Sequence, residues 1–204
     1  MKRWQAFLVG AASALLWAVC HAQSVPADSF RYRITLERAV GDRFGLDGPT
    51  ARLAAQLHQE SGWNPKARSV YAAGLAQFTP PTAAWIPTIC PDLGQADPWD
   101  AQWSIRAAVC YDAWLLRRAP GATGCDRWAM TLSAYNGGEK ARDRERHLAY
   151  EARDDPNQWF RQVERYKSRS DAAWQENRAY VRRILLTLEP MYLDAGWPGK
   201  RACP

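Results

Sequence analysis

The sequence predicts an all-α domain, and two observations carry that prediction. Apolar residues recur at helical spacing in one segment after another, as in Tyr32, Leu36, Ala39 and Val40, then Trp103, Ala107, Cys110, Tyr111 and Trp114, then Tyr180, Ile184 and Leu188. Glycine and proline punctuate the ends of these runs, at Gly45, Pro49, Gly62, Pro120 and Gly137-Gly138.

Residues 1–22 are expected to be a secretory signal peptide cut after Ala22. Lys2 and Arg3 precede an apolar run too short for a typical membrane span, and a small residue closes it. An uncleaved anchor and a lipoprotein modified at Cys20 are the rivals; Val19 stands where the latter needs a small residue. Removing Lys2 and Arg3 lowers the net charge from +6 to +4. That mild basicity suits a polyanionic surface without choosing one. Without a Gly-rich phosphate loop, a metal-ligand cluster or an RNA-binding signature, no cofactor, no metal and no nucleic-acid partner are expected. Four cysteines remain after cleavage, Cys90, Cys110, Cys125 and Cys203. An even number in an exported chain predicts two disulfides, with three connectivities left open.

The first helix is expected over 30–44 and packs under the second, which runs from Thr50 to Leu57 with Pro49 at its first turn. Leu53, Leu57 and Glu60 are spaced i, i+4, i+7, so Glu60 emerges on the face of two core leucines. Burial there raises a carboxyl toward the range in which it donates a proton near neutrality. Ser61, Gly62 and Asn64-Pro65 then break the helix and leave Glu60 beside a loop, where clefts are built. Pro80-Pro81 opens a short helix through Trp85. Residues 89–102 form a surface loop pinned by Cys90, and a long core helix follows through Leu115. Another helix begins at Cys125 or Asp126 and ends at Gly137-Gly138, with Tyr135 facing inward. The charged segment 139–170 is expected as two exposed helices broken near Asp155-Pro156, with Arg142, Arg144, Arg146 and Arg153 suited to peptide carboxylates. A last long helix covers 171–192. Of nine tryptophans in the mature chain most belong to the core, and Trp63 and Trp85 are the better sugar-stacking candidates.

These motifs carry a resemblance. Glu60-Ser61, Asn64-Pro65, Ala67, Ser69, Gly74-Leu75, Gln77 and Pro80-Pro81-Thr82 resemble the signature of the soluble, goose-lysozyme-like lytic transglycosylases. Asp97-Pro98 with Ile105, Ala134-Tyr135-Asn136 with Gly138, and Glu176-Asn177-Arg178 with Tyr180-Val181 resemble that family's later motifs in order, so the match spans about 49–188. Ala76 departs from it, standing where the family usually has methionine.

The resemblance implies a lysozyme-like helical domain over 23–204 with a substrate cleft. It implies non-hydrolytic cleavage of peptidoglycan glycan strands to 1,6-anhydromuramoyl ends, with Glu60 as acid/base and Ser61, Gln77, Tyr135, Asn136 and Tyr180 positioning it or the glycan. An ordinary glycosidase uses two carboxylates, and no second one is evident near Glu60, since Asp92, Asp97 and Asp100 lie in a distant loop. A hydrolytic muramidase of the same fold and an inactive wall-binding component of an envelope or phage assembly are the competing expectations. A periplasmic monomer, with room for a partner in an envelope machine, completes the expectation.

Overall fold

The computed structural model describes residues 24–204, so the signal peptide expected over 1–22 lies outside the described residues. Eight α-helices lie among the described residues: α1 Ser29–Phe44, α2 Thr50–Ser61, α3 Pro80–Ile89, α4 Ala101–Arg118, α5 Gly124–Gly137, α6 Glu139–Glu151, α7 Asp171–Arg183 and α8 Glu189–Asp194. No β-strand occurs among the described residues, only isolated bridges that pair Arg68 with Ala73 and Ala73 with Phe78. No helix there is long and apolar enough to cross a membrane.

Helix α2 is the buried axle. Every residue from Thr50 to Leu57 is buried, which explains the alanines: a helix enclosed on all sides needs small side chains so that its neighbours can approach. It packs against α1, α8 and the segment before α8. Helix α1 does lie against α2 but packs more extensively on α4, and it buries Leu36, Ala39 and Val40. The helix starts are chemically marked. Thr79, Asp100, Thr123 and Ser170 each accept a backbone N–H of the first turn, and substituting such a cap costs about 1 kcal/mol.

The disulfides join Cys90 to Cys110 and Cys125 to Cys203. They close 20 and 78 residues respectively, which in the chain-entropy view contributes roughly 3–4.5 kcal/mol each. The second ties the C-terminal tail to the start of α5. Beside it Arg52, buried in α2, meets Glu189 at 2.5 Å and stacks over Trp128.

Two expectations need correction. The last helix is not uniform: Ile184–Leu188 widens into a π-helical turn before α8. Pro190 lacks the N–H that an α-helix would direct to Leu186, and the wider turn relieves its ring. The charged segment is not two solvated helices either. Only α6 is helical over any length, a short 3-10 turn at Val163–Arg165 follows, and several of its charges are buried. Glu145 is fully enclosed, Arg142 and Glu164 nearly so. Charge pattern alone cannot tell a solvated face from an internal ion-pair network, because partners such as Arg169, Arg178 and Arg182 stand many residues from the carboxylates they meet.

Candidate active site

Glu60 sits at the penultimate position of α2, which therefore runs one turn further than its periodicity suggested. Gly62 turns the chain in a left-handed conformation, φ 59°, a geometry glycine adopts without strain. The loop that follows is held by its own polar side chains. Asn64 accepts Lys66 N–H, and Ser69 Oγ accepts the N–H groups of Tyr71 and Ala72. Gly74 has φ 77°, and a Cβ there would lie 1.7 Å from the Pro98 carbonyl oxygen, so the loop can lean on the segment before α4 only with glycine at this position.

This loop, α2, α4, α5 and α7 enclose a cleft of about 410 Å³. Its walls include Glu60, Gln77, Tyr111, Tyr135, Glu176 and Tyr180. Glu60 is half-buried at its floor. The hydroxyl of Tyr180 donates to Glu60 Oε1 at 2.5 Å. Burial is the main cause that pushes the Glu60 carboxyl up, to about 8; the Tyr180 bond opposes this and the charge of Glu176 adds to it. With Oε1 occupied as an acceptor, Oε2 is the oxygen left to carry a proton. The tyrosines are locked in their neutral form: burial and then the charge of Glu60 raise both Tyr135 and Tyr180. Burial likewise takes Tyr111 to about 12.

The residues singled out in the sequence are distributed unevenly about this floor. Tyr135 lines the cleft and donates to the Ala76 carbonyl at 3.0 Å. Asn136 lines it too, bridging α5 to α7 by accepting from Asn177 at 2.8 Å and donating to Glu176 at 3.4 Å. Gln77 reaches the cleft wall, but its amide N–H groups are spent on the Ala67 and Gly74 carbonyls at 3.1 and 2.8 Å, leaving only Oε1 for a ligand. Ser61 is not among the lining residues; its hydroxyl donates back to the Leu57 carbonyl at 3.2 Å.

Trp63 is a core residue, 1% exposed, donating to the Tyr192 hydroxyl at 2.6 Å and packed between Tyr32 and Trp197. Trp85 is exposed but outside the cleft lining, edge-on to Tyr111 and Trp114. None of Arg142, Arg144, Arg146 and Arg153 lines the cleft. Arg142 is paired with Asp143 and Glu139, and Arg146 donates to Pro156 and Asn157.

Sequence reading missed two carboxylates. Glu176 lines the cleft, and its signal was present: it lies four residues before Tyr180 on one helix, the spacing that puts side chains on one face. Asp112 lies buried close enough to Glu60 for their charges to interact; it was hidden inside an apolar helix pattern. Among the described residues no acidic, histidine or cysteine cluster could hold a metal ion.

The profile of the transglycosylase SLT domain matches residues 42–158, more than half of the chain. The chain belongs to this family. Within it, the protein is 36% identical over 110 residues to the membrane-bound lytic murein transglycosylase F of Shewanella denitrificans. That match covers 53% of this chain and 21% of the relative. It is 34% identical over 131 residues to the enzyme of the same description from Shewanella sp. strain ANA-3, covering 63% and 25%. The chain thus corresponds to between a fifth and a quarter of the length of these relatives. Its fold is similar to that of the 70 kDa soluble lytic transglycosylase of Escherichia coli, with TM-score 0.58, 22% identity, and coverage of 84% of this chain and 25% of that one. The SLT-domain chain therefore has the expected lysozyme-like helical architecture.

Proposed function

We propose that this SLT-domain protein cleaves the β-1,4 bond between N-acetylmuramic acid and N-acetylglucosamine in peptidoglycan without consuming water. The observation that carries the reading is Glu60: one carboxyl, half-buried at the floor of an open cleft and protonated near neutrality, whose Oε1 is already held by Tyr180. Such a group is set up to give its Oε2 proton to a glycosidic oxygen.

The reaction balances with that single group. The proton passes from Glu60 to the leaving oxygen as the bond from that oxygen to C1 of the muramic residue breaks, and the substrate's own N-acetyl group stabilises the electron-poor C1. Glu60, now a carboxylate, takes the proton of the C6 hydroxyl as O6 bonds to C1, which closes the 1,6-anhydro ring and restores the acid. Tyr180 favours the carboxylate in the second half, since a hydrogen bond to the charged form stabilises it. Tyr135, Asn136 and the Oε1 of Gln77 line the path of the glycan, and Ser61 steadies the helix end that presents Glu60. Residues 23–204 form the catalytic domain of an exported protein acting on glycan strands in the periplasm.

Mass spectrometry of muropeptides released from purified peptidoglycan tests this. Products one water lighter at the muramic end are expected, and none with Glu60→Gln.

A second reading, hydrolysis of the same bond, is favoured by Glu176, a carboxylate in the same cleft that could order a water. Reducing-end products, lost with Glu176→Gln, would establish it.

A further inference from the structure

One turn before Glu60 on α2, Gln56 meets Asp112 of α4. Both are enclosed, at 1% and 0% exposure, and Gln56 Nε2 donates to Asp112 Oδ1 at 3.4 Å. The other oxygen of each group, Gln56 Oε1 and Asp112 Oδ2, is buried without a partner. An amide set against a carboxylate necessarily leaves two acceptors with no donor between them, and an orphaned buried acceptor is costly. A proton on Asp112 Oδ2 removes the conflict, since it supplies a donor where the pair otherwise has two acceptors. The surroundings favour that proton. Burial first and the charge of Glu60 second push the Asp112 carboxyl well above the usual range, against the Gln56 bond. The ionisable groups within electrostatic reach are Glu60 from α2, Tyr135 from α5, Tyr180 from α7 and Tyr111 beside it on α4. No cation is among the groups acting on Asp112 directly.

We propose that Asp112 and Gln56 form a neutral acid–amide pair that ties α2 to α4 beneath the cleft and keeps a second negative charge away from Glu60. Asp112 is thus a positioning residue, and the role assigned to it rests on the reading of Glu60 as the acid/base. A charged Asp112 would oppose the carboxylate that Glu60 becomes in mid-reaction; the neutral pair leaves Glu60 as the one floor group that changes charge. Asparagine at position 112 reproduces the arrangement, with Nδ2 donating where the acid proton did.

Two measurements test the pair. The first needs no activity: folding equilibria by denaturant titration between about pH 5 and 7, comparing Glu60→Gln with the double variant Glu60→Gln, Asp112→Asn. A proton held in the native state and released on unfolding makes the folding constant of the single variant fall about tenfold more per pH unit than that of the double variant. Parallel curves overturn the proposal, and so does an Asp112→Asn protein that fails to fold. The second compares kcat/KM against pH for the wild type and Asp112→Asn. Values within about twofold, with the same limbs, are expected; a limb displaced downward by a unit reveals a charge on Asp112 and overturns the proposal. An inactive wild type would sink the proposed reaction and still leave the folding comparison readable.

Discussion

Two of the glutamates that this domain takes out of water are treated in opposite ways. Glu145, on α6, is fully enclosed and accepts from Arg169 through both oxygens at 2.9 and 3.0 Å, with Arg178 at 2.9 Å and the Ser168 N–H at 3.3 Å. Glu60 lies half-buried in the cleft, and its one strong partner is a neutral phenol. The charge that acts on it is that of another carboxylate, Glu176. Burial penalises the charged form of Glu60, and the partners around each carboxyl decide what it is used for. Guanidinium groups hold an anion for structure, whereas a phenol and a like charge hold a proton for use.

The sharpest way to break the comparison is to remove each carboxyl in turn. Glu60→Gln should lower turnover by roughly 10²–10⁴-fold, the usual contribution of general acid–base catalysis, and leave the helical circular dichroism unchanged. It should also stabilise the fold. The Glu60 carboxyl is raised from its ordinary value to about 8, so the folded state binds the proton more tightly than the unfolded chain. The wild type is then most favoured below the unfolded value and loses stability as pH rises toward 8, by at most about 1.4 kcal/mol per unit. Denaturant titrations of both proteins at pH 5 and pH 7.5 read this directly: the gap between them should be small at pH 5, just above the unfolded value, and widen toward pH 7.5.

Glu145→Ala is expected to do the reverse, abolishing no chemistry but costing about 3–5 kcal/mol, because it strands Arg169 and Arg178 as buried cations without an anion. Chemical denaturation followed by tryptophan fluorescence measures it. Little or no loss of stability would show that the two sites differ less than their partners imply.

The same contrast governs how far these sites could be read in the sequence. Glu60 was legible because its position on an apolar face conflicts with its chemistry, and because a helix break and ordered motifs come after it. Helical spacing put Tyr135 and Tyr180 on inward faces, as it marked most of the helices, while their place beside Glu60 was read from the family resemblance. Glu145 was not legible, for its pattern is that of any charged helix and its cations arrive 24 and 33 residues later. Trp63 misled for a related reason: adjacency to Glu60 in sequence suggested the cleft, while the left-handed turn at Gly62 sends the chain into the core. The π turn before Pro190 depends on packing that no local propensity records.

Tyr180→Phe sharpens the comparison without removing a charge. Loss of the hydroxyl takes away the bond that holds the Glu60 carboxyl down, so it should ionise at still higher pH and give its proton less readily to the leaving oxygen in the first half of the reaction. Turnover is expected to fall about tenfold, the equivalent of roughly one pKa unit. In a profile of kcat against pH, the alkaline limb, set in the wild type near 8, should move upward. A downward movement would mean that Tyr180 supports the acid rather than the carboxylate.

The smallest expected effect is the one that best separates water-free cleavage from hydrolysis. Glu176 is exposed at the cleft edge and acts on Glu60 only through its charge. Glu176→Gln should therefore shift the alkaline limb of the pH profile downward by a few tenths of a unit, and the shift should shrink in 1 M salt, where screening acts within about 3 Å. The plateau rate and the product mass should stay as they are, because a carboxylate that orders no water contributes nothing to the chemical step. If Glu176 instead activated a water, the same substitution would cost about 10²-fold or more at every pH, and the salt dependence would vanish with the activity. A neutral glutamine thus distinguishes a charge that merely tunes Glu60 from a second catalytic group opposite it.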